Sequence, residues 1–182
     1  MLEFVQPTAR LHDSWLDAHD EWGSGFHEDG FGLLPTDDVE SSVGFAAWVR
    51  RLADEPESVQ PSRSNAMRCV YRWVVENDQV LGGIALRYGS GDVACRLGNV
   101  GYGIKPSARR RGVATWALGQ MIDQAQAVGL DRLLVVCEMD NAASAKTIEA
   151  NGGVLDDDAG SDSAGLRRYW VEIGRSPVQS ER

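Results

Sequence analysis

The chain has 182 residues, 43 % of them apolar, which suits one domain with a full core that needs no staples. No stretch approaches the ~18 consecutive apolar residues of a transmembrane helix, and the start, MLEFVQPTARLHDSW, lacks the basic start and apolar stretch of a secretory signal, so a cytoplasmic protein is expected. The net charge of −9 lies wholly in residues 1–40, which hold ten acids and one base; this segment repels phosphate backbones and attracts cations, disfavouring general nucleic-acid binding and favouring an amine-bearing partner.

In chain order, LEFVQP reads as a short strand. TARLHDSWLDAHDEW reads as a helix capped by Thr8, with Leu11, Trp15, Ala18 and Trp22 at helical spacing. A glycine-rich loop, GSGFHEDGFGLLP, leads to a second helix over TDDVESSVGFAAWVRRLADEP, capped by Thr36 or Asp37 and stopped before Pro56. MRCVYRWVVENDQVLGGIALRYG reads as two strands joined by a turn at Glu76-Asn77-Asp78, and RLGNVGYGIKP as a third strand ended by Pro106. The period then changes. Val113, Ala114, Ala117, Leu118, Met121, Ile122, Ala125 and Val128 form a helical stripe, with Gly129 as its stop. RLLVVC is a continuous apolar run, as in a buried parallel strand. DNAASAKTIEANGG reads as a short helix capped by Asp140 or Asn141, LRRYWVEI as a last strand, and residues 175–182 as a frayed tail after a single domain over 1–174. Strand, helix, strand in the middle with hairpins before it predicts a mixed α/β domain with a right-handed crossover at residues 100–137.

Two metal or redox readings are disfavoured. Cys69, Cys95 and Cys137 are far apart and in no CxxC arrangement, so buried free thiols are expected rather than disulfides or a thiolate zinc site. His12, His19 and His27 lack the spacing of metal ligands. Gly89-x-Gly91-x-x-Ala94 matches a loose dinucleotide fingerprint, but the following residues read as strand, and the fingerprint needs a helix start.

The segment PSARRRGVAT carries the strongest chemical signal. It lies between a strand ending near Ile104 and a helix starting near Gly112. The first turn of a helix leaves backbone N–H groups without partners, and the dipole adds partial positive charge. Gly112 lets a ligand approach the backbone, Ala114 keeps the next approach small, and arginines beside such a turn add charge-assisted hydrogen bonds. The features suit phosphate or pyrophosphate; the plainer alternative is a surface loop with solvated arginines.

Arg109-x-x-Gly112-x-Ala114, after a strand and opening a helix, resembles the coenzyme A pyrophosphate loop of GNAT superfamily N-acetyltransferases. The stretch from Gly101 to Leu155 resembles that family's core without a gap, and DN-x-x-S-x-x-x-IE-x-NGG resembles a branch of predicted acetyltransferases. The resemblance implies the GNAT acyl-CoA acyltransferase fold: a central, mostly antiparallel twisted sheet with a β-bulged, splayed parallel strand pair and four flanking helices. It also implies direct acetyl transfer from acetyl-CoA to a primary amine of a small molecule or peptide, with a cationic acceptor favoured by the acidic N-terminal segment, and no metal.

By the same resemblance, backbone groups of Gly103, Ile104 and Lys105 would pair with the pantetheine arm as an added strand. N–H groups of Arg109, Arg110, Arg111, Gly112, Val113 and Ala114 would hold the pyrophosphate. Asn141 would bond the pantetheine, with Ser144 one turn on. The usual acid, a tyrosine on the last helix, is replaced by Ile148, leaving Ser144 as the nearest polar substitute unless it only bonds locally. Glu138 and Asp140 are the candidate bases, with a solvated strand end and helix capping as the alternative. Tyr102 and Tyr169 read as core or rim aromatics. His27 and Glu28, beside Asp29, fall where the family lines its acceptor pocket, and Trp22, Phe26 and Phe31 either wall that pocket or belong to the core. The rival readings are a coenzyme A-binding module without turnover, and nucleic-acid binding through the arginines. Monomer and homodimer both stay open.

Overall fold

The computed structural model describes residues 1–23, 30–54, 68–89, 98–156 and 165–174. Phe26, His27, Glu28, Asp29, Cys95, most of the glycine fingerprint after Gly89, and the tail from 175 lie outside the described residues. The elements are β1 (Leu2–Val5), α1 (His12–Trp22), α2 (Ser42–Asp54), β2 (Arg68–Glu76), β3 (Gln79–Tyr88), β4 (Val100–Ile104), α3 (Val113–Ala127), β5 (Arg132–Glu138), α4 (Ala142–Ala150), β6 (Val154–Leu155) and β7 (Leu166–Glu172). One seven-stranded sheet runs in the order β1-β2-β3-β4-β5-β7-β6. All neighbours are antiparallel except β4 and β5, which the α3 crossover joins in parallel. This is the mixed, mostly antiparallel sheet with four flanking helices that the sequence implies.

Local chemistry explains where elements start and stop, and corrects three boundaries. The first helix is a short 3-10 turn, Ala9–Leu11, capped by Thr8, followed by α1. The second helix begins at Ser42, not near Thr36. Asp37 cannot cap it because its carboxylate accepts from the Leu34 N–H and pairs with Arg51 at 2.6 Å. Ser41 is the cap: its hydroxyl accepts from the Gly44 N–H at 3.1 Å and its carbonyl from the Phe45 N–H. The two-residue strand β6 was not separately legible; it pairs Val154 and Leu155 with Trp170 and Tyr169. The register break of the sheet falls in β2, between Val74 and Val75, whereas the β3–β4 ladder runs unbroken from Leu86↔Val100 to Gly82↔Ile104.

Alternation along the strands builds a core on each face. Trp73 and Val75 face α1 and α2 in a cluster with Trp15, Phe31, Phe45 and Trp48; Val74, Ile84, Leu86, Val100 and Ile104 face α3 and α4. The first cluster is rich in aromatic rings packed tilted and edge-on, with Trp15–Trp48 and Phe45–Trp48 ring centroids 4.8 and 5.2 Å apart. Phe31 is 2 % exposed and belongs to this core, with the Trp22 ring edge-on to it. His12 and His19 are absorbed here too, stacked on Phe45 and Trp15.

The parallel pair is joined over a short stretch only. The β4–β5 register holds the single pair Val100↔Val135. Beyond it β4 stays with β3 as far as Ile104, while β5 stays with β7 as far as Glu138. The two strands therefore part toward their C-terminal ends. Both following segments, the turn into α3 and the start of α4, flank the opening.

Candidate functional site

A cleft of about 770 Å³ occupies this opening, lined by β4, the turn into α3 and the first two turns of α4. Its β4 wall presents free backbone. The Asn99 carbonyl accepts from the Arg87 N–H and the Lys105 N–H donates to Leu81, so odd-numbered residues of this strand bond to β3. Alternation then turns the backbone groups of Tyr102 and Ile104 toward the gap. The Ile104 carbonyl accepts from Arg109 Nε at 2.8 Å.

The arginine turn follows a 3-10 turn at Pro106–Ala108. Arg110 and Gly112 take the left-handed conformation, at φ 59° and 76°. A Cβ at Gly112 would meet nothing within 4 Å, so the glycine serves the backbone turn and leaves open space beside it. Gly112 is the N-cap of α3 and offers no side chain; the first intrahelical bond runs from the Trp116 N–H to the Gly112 carbonyl at 2.9 Å. The N–H groups of Val113, Ala114 and Thr115 thus stand without intrahelical acceptors at the mouth of the cleft.

The three arginines have three different surroundings. Arg109 lines the cleft and braces Ile104. Arg110 lines the cleft and has no side-chain partner among the described residues. Arg111 turns away, with Nη2 on Glu76 Oε2 at 2.6 Å beside the β2–β3 turn. Lys105 is also outside the lining: its N–H bonds Leu81 and its ammonium lies 3.9 Å from Glu21. The other residues expected at the cofactor, Gly103, Ile104, Arg109, Arg110, Gly112, Val113, Ala114, Asn141 and Ser144, all line the cleft, but the backbone groups of Gly103 and the N–H of Lys105 are spent on β3, so of the three residues expected to pair with an added strand only Ile104 turns its backbone to the gap.

Glu21, at the end of α1, holds the turn in place. Its carboxylate accepts from the Ser107 N–H and from the Ser107 hydroxyl, the latter at 2.9 Å. Desolvation opposes ionisation there, but the two Ser107 bonds, with Lys105 and Arg109 nearby, hold the Glu21 carboxyl below its usual range.

The opposite wall is α4. Asn141 caps it, its Oδ1 accepting from the Ser144 N–H at 3.0 Å. Ser144 is therefore not the cap, and its side chain lies within hydrogen-bonding reach of the Tyr102 phenol. Tyr102 is more than a rim aromatic. It is half-buried, lines the cleft, and its hydroxyl lies 3.5 Å from the Ser144 carbonyl oxygen. Burial pushes its phenol pKa up, so it stays protonated at neutral pH. Tyr169 is buried, its hydroxyl donating to Glu149. Ile148 is fully buried in the core.

Glu138 and Asp140 stand exposed at the end of β5 and beyond it, outside the cleft lining, and no carboxylate lines the cleft among the described residues. Thr115, Lys146 and Thr147 line it without having been singled out. The signal was present: Asn141, Ser144 and Thr147 form a polar stripe at helical spacing. No helix of the described residues is long and apolar enough to cross a membrane.

Solved structures share this architecture. An acetyltransferase of the GNAT family from Streptococcus pneumoniae superposes with a TM-score of 0.57 at 14% identity, covering 96% of this chain and 100% of that one. The yncA protein from Salmonella typhimurium, solved with its cofactor acetyl-CoA, gives 0.59 at 14% identity over 97% and 96%. A ribosomal-protein-S5-alanine acetyltransferase from Vibrio fischeri gives 0.62 at 13% identity over 96% and 94%. No curated protein matches the sequence. At these identities the likeness concerns the fold. Residues 36–154 match the acetyltransferase (GNAT) domain, and that match, spanning most of the sheet and both walls of the cleft, makes the chain a member of the GNAT acetyltransferase family.

Proposed function

We propose that this acetyltransferase binds acetyl-CoA in the cleft between β4 and α4 and transfers the acetyl group directly to a primary amine. One observation carries the reading: unpartnered amides at the start of α3, the cation of Arg110 and the open backbone edge of β4 meet in one cleft. The first two suit a pyrophosphate; the third suits a slender arm with alternating amide donors and acceptors. The solved yncA complex, which holds acetyl-CoA on the same fold, supports the assignment.

Transfer requires a neutral amine, a polarised thioester carbonyl and a proton for the departing thiolate. The amine nitrogen attacks the carbonyl carbon, the carbon–sulfur bond breaks, and a proton moves from the nitrogen to solvent or a base while sulfur is protonated. The gap-facing N–H of Ile104 or Tyr102 is suited to the carbonyl oxygen. The Ser144 hydroxyl, on the cleft wall beside the protonated Tyr102 phenol, is the assigned proton donor, replenished from solvent. Glu138, at the end of β5, is the proposed base for the amine proton and acts through water from outside the cleft. His27 and Glu28 remain the proposed acceptor contacts. The concentration of acid in residues 1–40 favours a cationic acceptor.

The second reading, a coenzyme A-binding module without turnover, draws on the buried Ile148 and the absence of a carboxylate from the described lining. Calorimetric titration with acetyl-CoA, followed by thiol release over a panel of small cationic amines and peptides, tests both. Absence of affinity rejects the cleft assignment. Affinity without thiol release on any amine favours the second reading.

A further inference from the structure

The motif at the end of α4, Asn151-Gly152-Gly153, has no part in the chemistry above. Asn151 Nδ2 donates to the Thr115 carbonyl at 3.1 Å and to the Thr147 carbonyl at 2.9 Å. Thr115 is in the first turn of α3 and Thr147 is on α4; each lines the cleft, one on either wall. At Thr115 the bond uses the second lone pair of a helical carbonyl; at Thr147, in the last turn of α4, it supplies the partner that the Asn151 N–H, bonded to Ile148, does not, and both hydrogens of the amide are used.

The surroundings fix this amide. A Cβ at Gly119, in the interior of α3, would come within 3.3 Å of Asn151 Oδ1. Glycine is disfavoured in a helix interior, and its presence here admits the Asn151 side chain to the α3 surface. Gly153 lies so close to Ile148 that a Cβ would overlap that side chain, and the Gly153 N–H bonds the Ile148 carbonyl at 3.0 Å. The chain after the helix is thereby folded back under Asn151.

We infer that Asn151 is a positioning residue that sets the separation of α3 and α4, and with it the fit of the cleft to its ligand. The inference rests on the reading that this cleft binds acetyl-CoA. Asn151 touches no ligand in this account; it acts through the carbonyls of Thr115 and Thr147.

The test compares wild type with Asn151→Ala, and with Gly119→Ala, which crowds Asn151 without altering its donors. Binding and kinetics are measured well below each variant's melting temperature. Loss of two hydrogen bonds is expected to weaken acetyl-CoA about tenfold in Kd and KM, with kcat at saturating cofactor within about twofold of wild type. Gly119→Ala is expected to weaken it in the same direction by about threefold, and it carries the test if Asn151→Ala fails to fold. A lowered melting temperature with unchanged Kd and KM assigns Asn151 a structural role and overturns the inference. If wild type itself shows no acetyl-CoA affinity, the cleft assignment fails, and backbone amide shifts decide the positioning role. Changes in Asn151→Ala at both Gly112–Thr115 and Asn141–Ser144 support it, and changes confined to α4 overturn it.

Discussion

Asn99 and Leu134 are joined twice: the Asn99 N–H donates to the Leu134 carbonyl at 2.6 Å, and the Leu134 N–H donates to Asn99 Oδ1 at 2.7 Å. A side chain thus takes the place of a backbone acceptor just before the Val100↔Val135 pair, beyond which β4 and β5 part. The same side chain donates through Nδ2 to the Arg87 carbonyl at 3.0 Å, binding β3 as well. Asn99→Ala removes these partners and leaves a half-buried donor and acceptor unmatched, a loss of about 2 kcal/mol. Urea unfolding measures it; a change within about 0.5 kcal/mol contradicts a pivotal role.

The arginine turn predicts an order of effects on acetyl-CoA affinity. Gly112→Val forces a branched residue into φ 76° and fills the open space beside the turn, so it is the most damaging, at more than about tenfold. Arg110→Ala loses an exposed charge and weakens binding by a few-fold, less so in high salt. Arg111→Ala leaves affinity unchanged, because that guanidinium is engaged by Glu76. Calorimetry on the three variants gives the ranking directly, and an arginine variant as damaging as Gly112→Val contradicts it.

Ser144→Ala tests the proton donor. With the best amine found in the panel, kcat is expected to fall about a hundredfold. The acetyl-CoA KM is expected to stay within about twofold, since Asn141 and not Ser144 caps the helix. A kcat equal to that of wild type removes Ser144 from the chemistry.

Glu21 gives a pH signature. Its carboxyl has a folded-state pKa below the unfolded value of about 4.5, so its contribution to stability is fully present above that pH and is lost as pH falls through the folded value. Melting temperatures of wild type and Glu21→Gln are therefore expected to differ near neutrality and to converge in acid. Parallel profiles down to about pH 3 show that the Ser107 contact carries no charge-dependent stability.

Gly30 and Gly83 test the packing of the segment after α1 onto the sheet. A Cβ on Gly30 would run into the Gly83 carbonyl, and one on Gly83 would come within 2.7 Å of the Phe31 ring. Both alanine variants are expected to lose about 2 kcal/mol or more. Gly23→Ala, which would meet nothing within 4 Å, suffers only from its φ of 86° and loses about 1 kcal/mol. Equal losses at all three positions rule out close backbone approach as the cause.

What was legible in the sequence was whatever rests on period and local caps. The α3 stripe, the apolar run of β5 and the turn at Asn77-Asp78, with φ of 51° and 59°, fall where pattern and turn chemistry put them. The start of α2 was not legible, because Asp37 reads as a cap until Arg51 and the Leu34 N–H claim its carboxylate. Three adjacent arginines are alike in sequence, and only the position of Glu76 across the β2–β3 turn separates Arg111 from its neighbours. The division of labour between Asn141 and Ser144 was likewise invisible, since either residue type caps helices. The role of Asn99 depends on a register that no one-dimensional pattern encodes.

The unpaired edge of β4 has a further consequence. An exposed strand edge ordinarily invites another chain to pair with it, and proteins blunt such edges with charge, bulges or short strands. Here the bare edge lies inside the sheet, between strands held together at Val100 and Val135 and beneath the start of α4. The fold thus keeps a short run of unpaired backbone groups inside the sheet, without the aggregation hazard they carry at a rim.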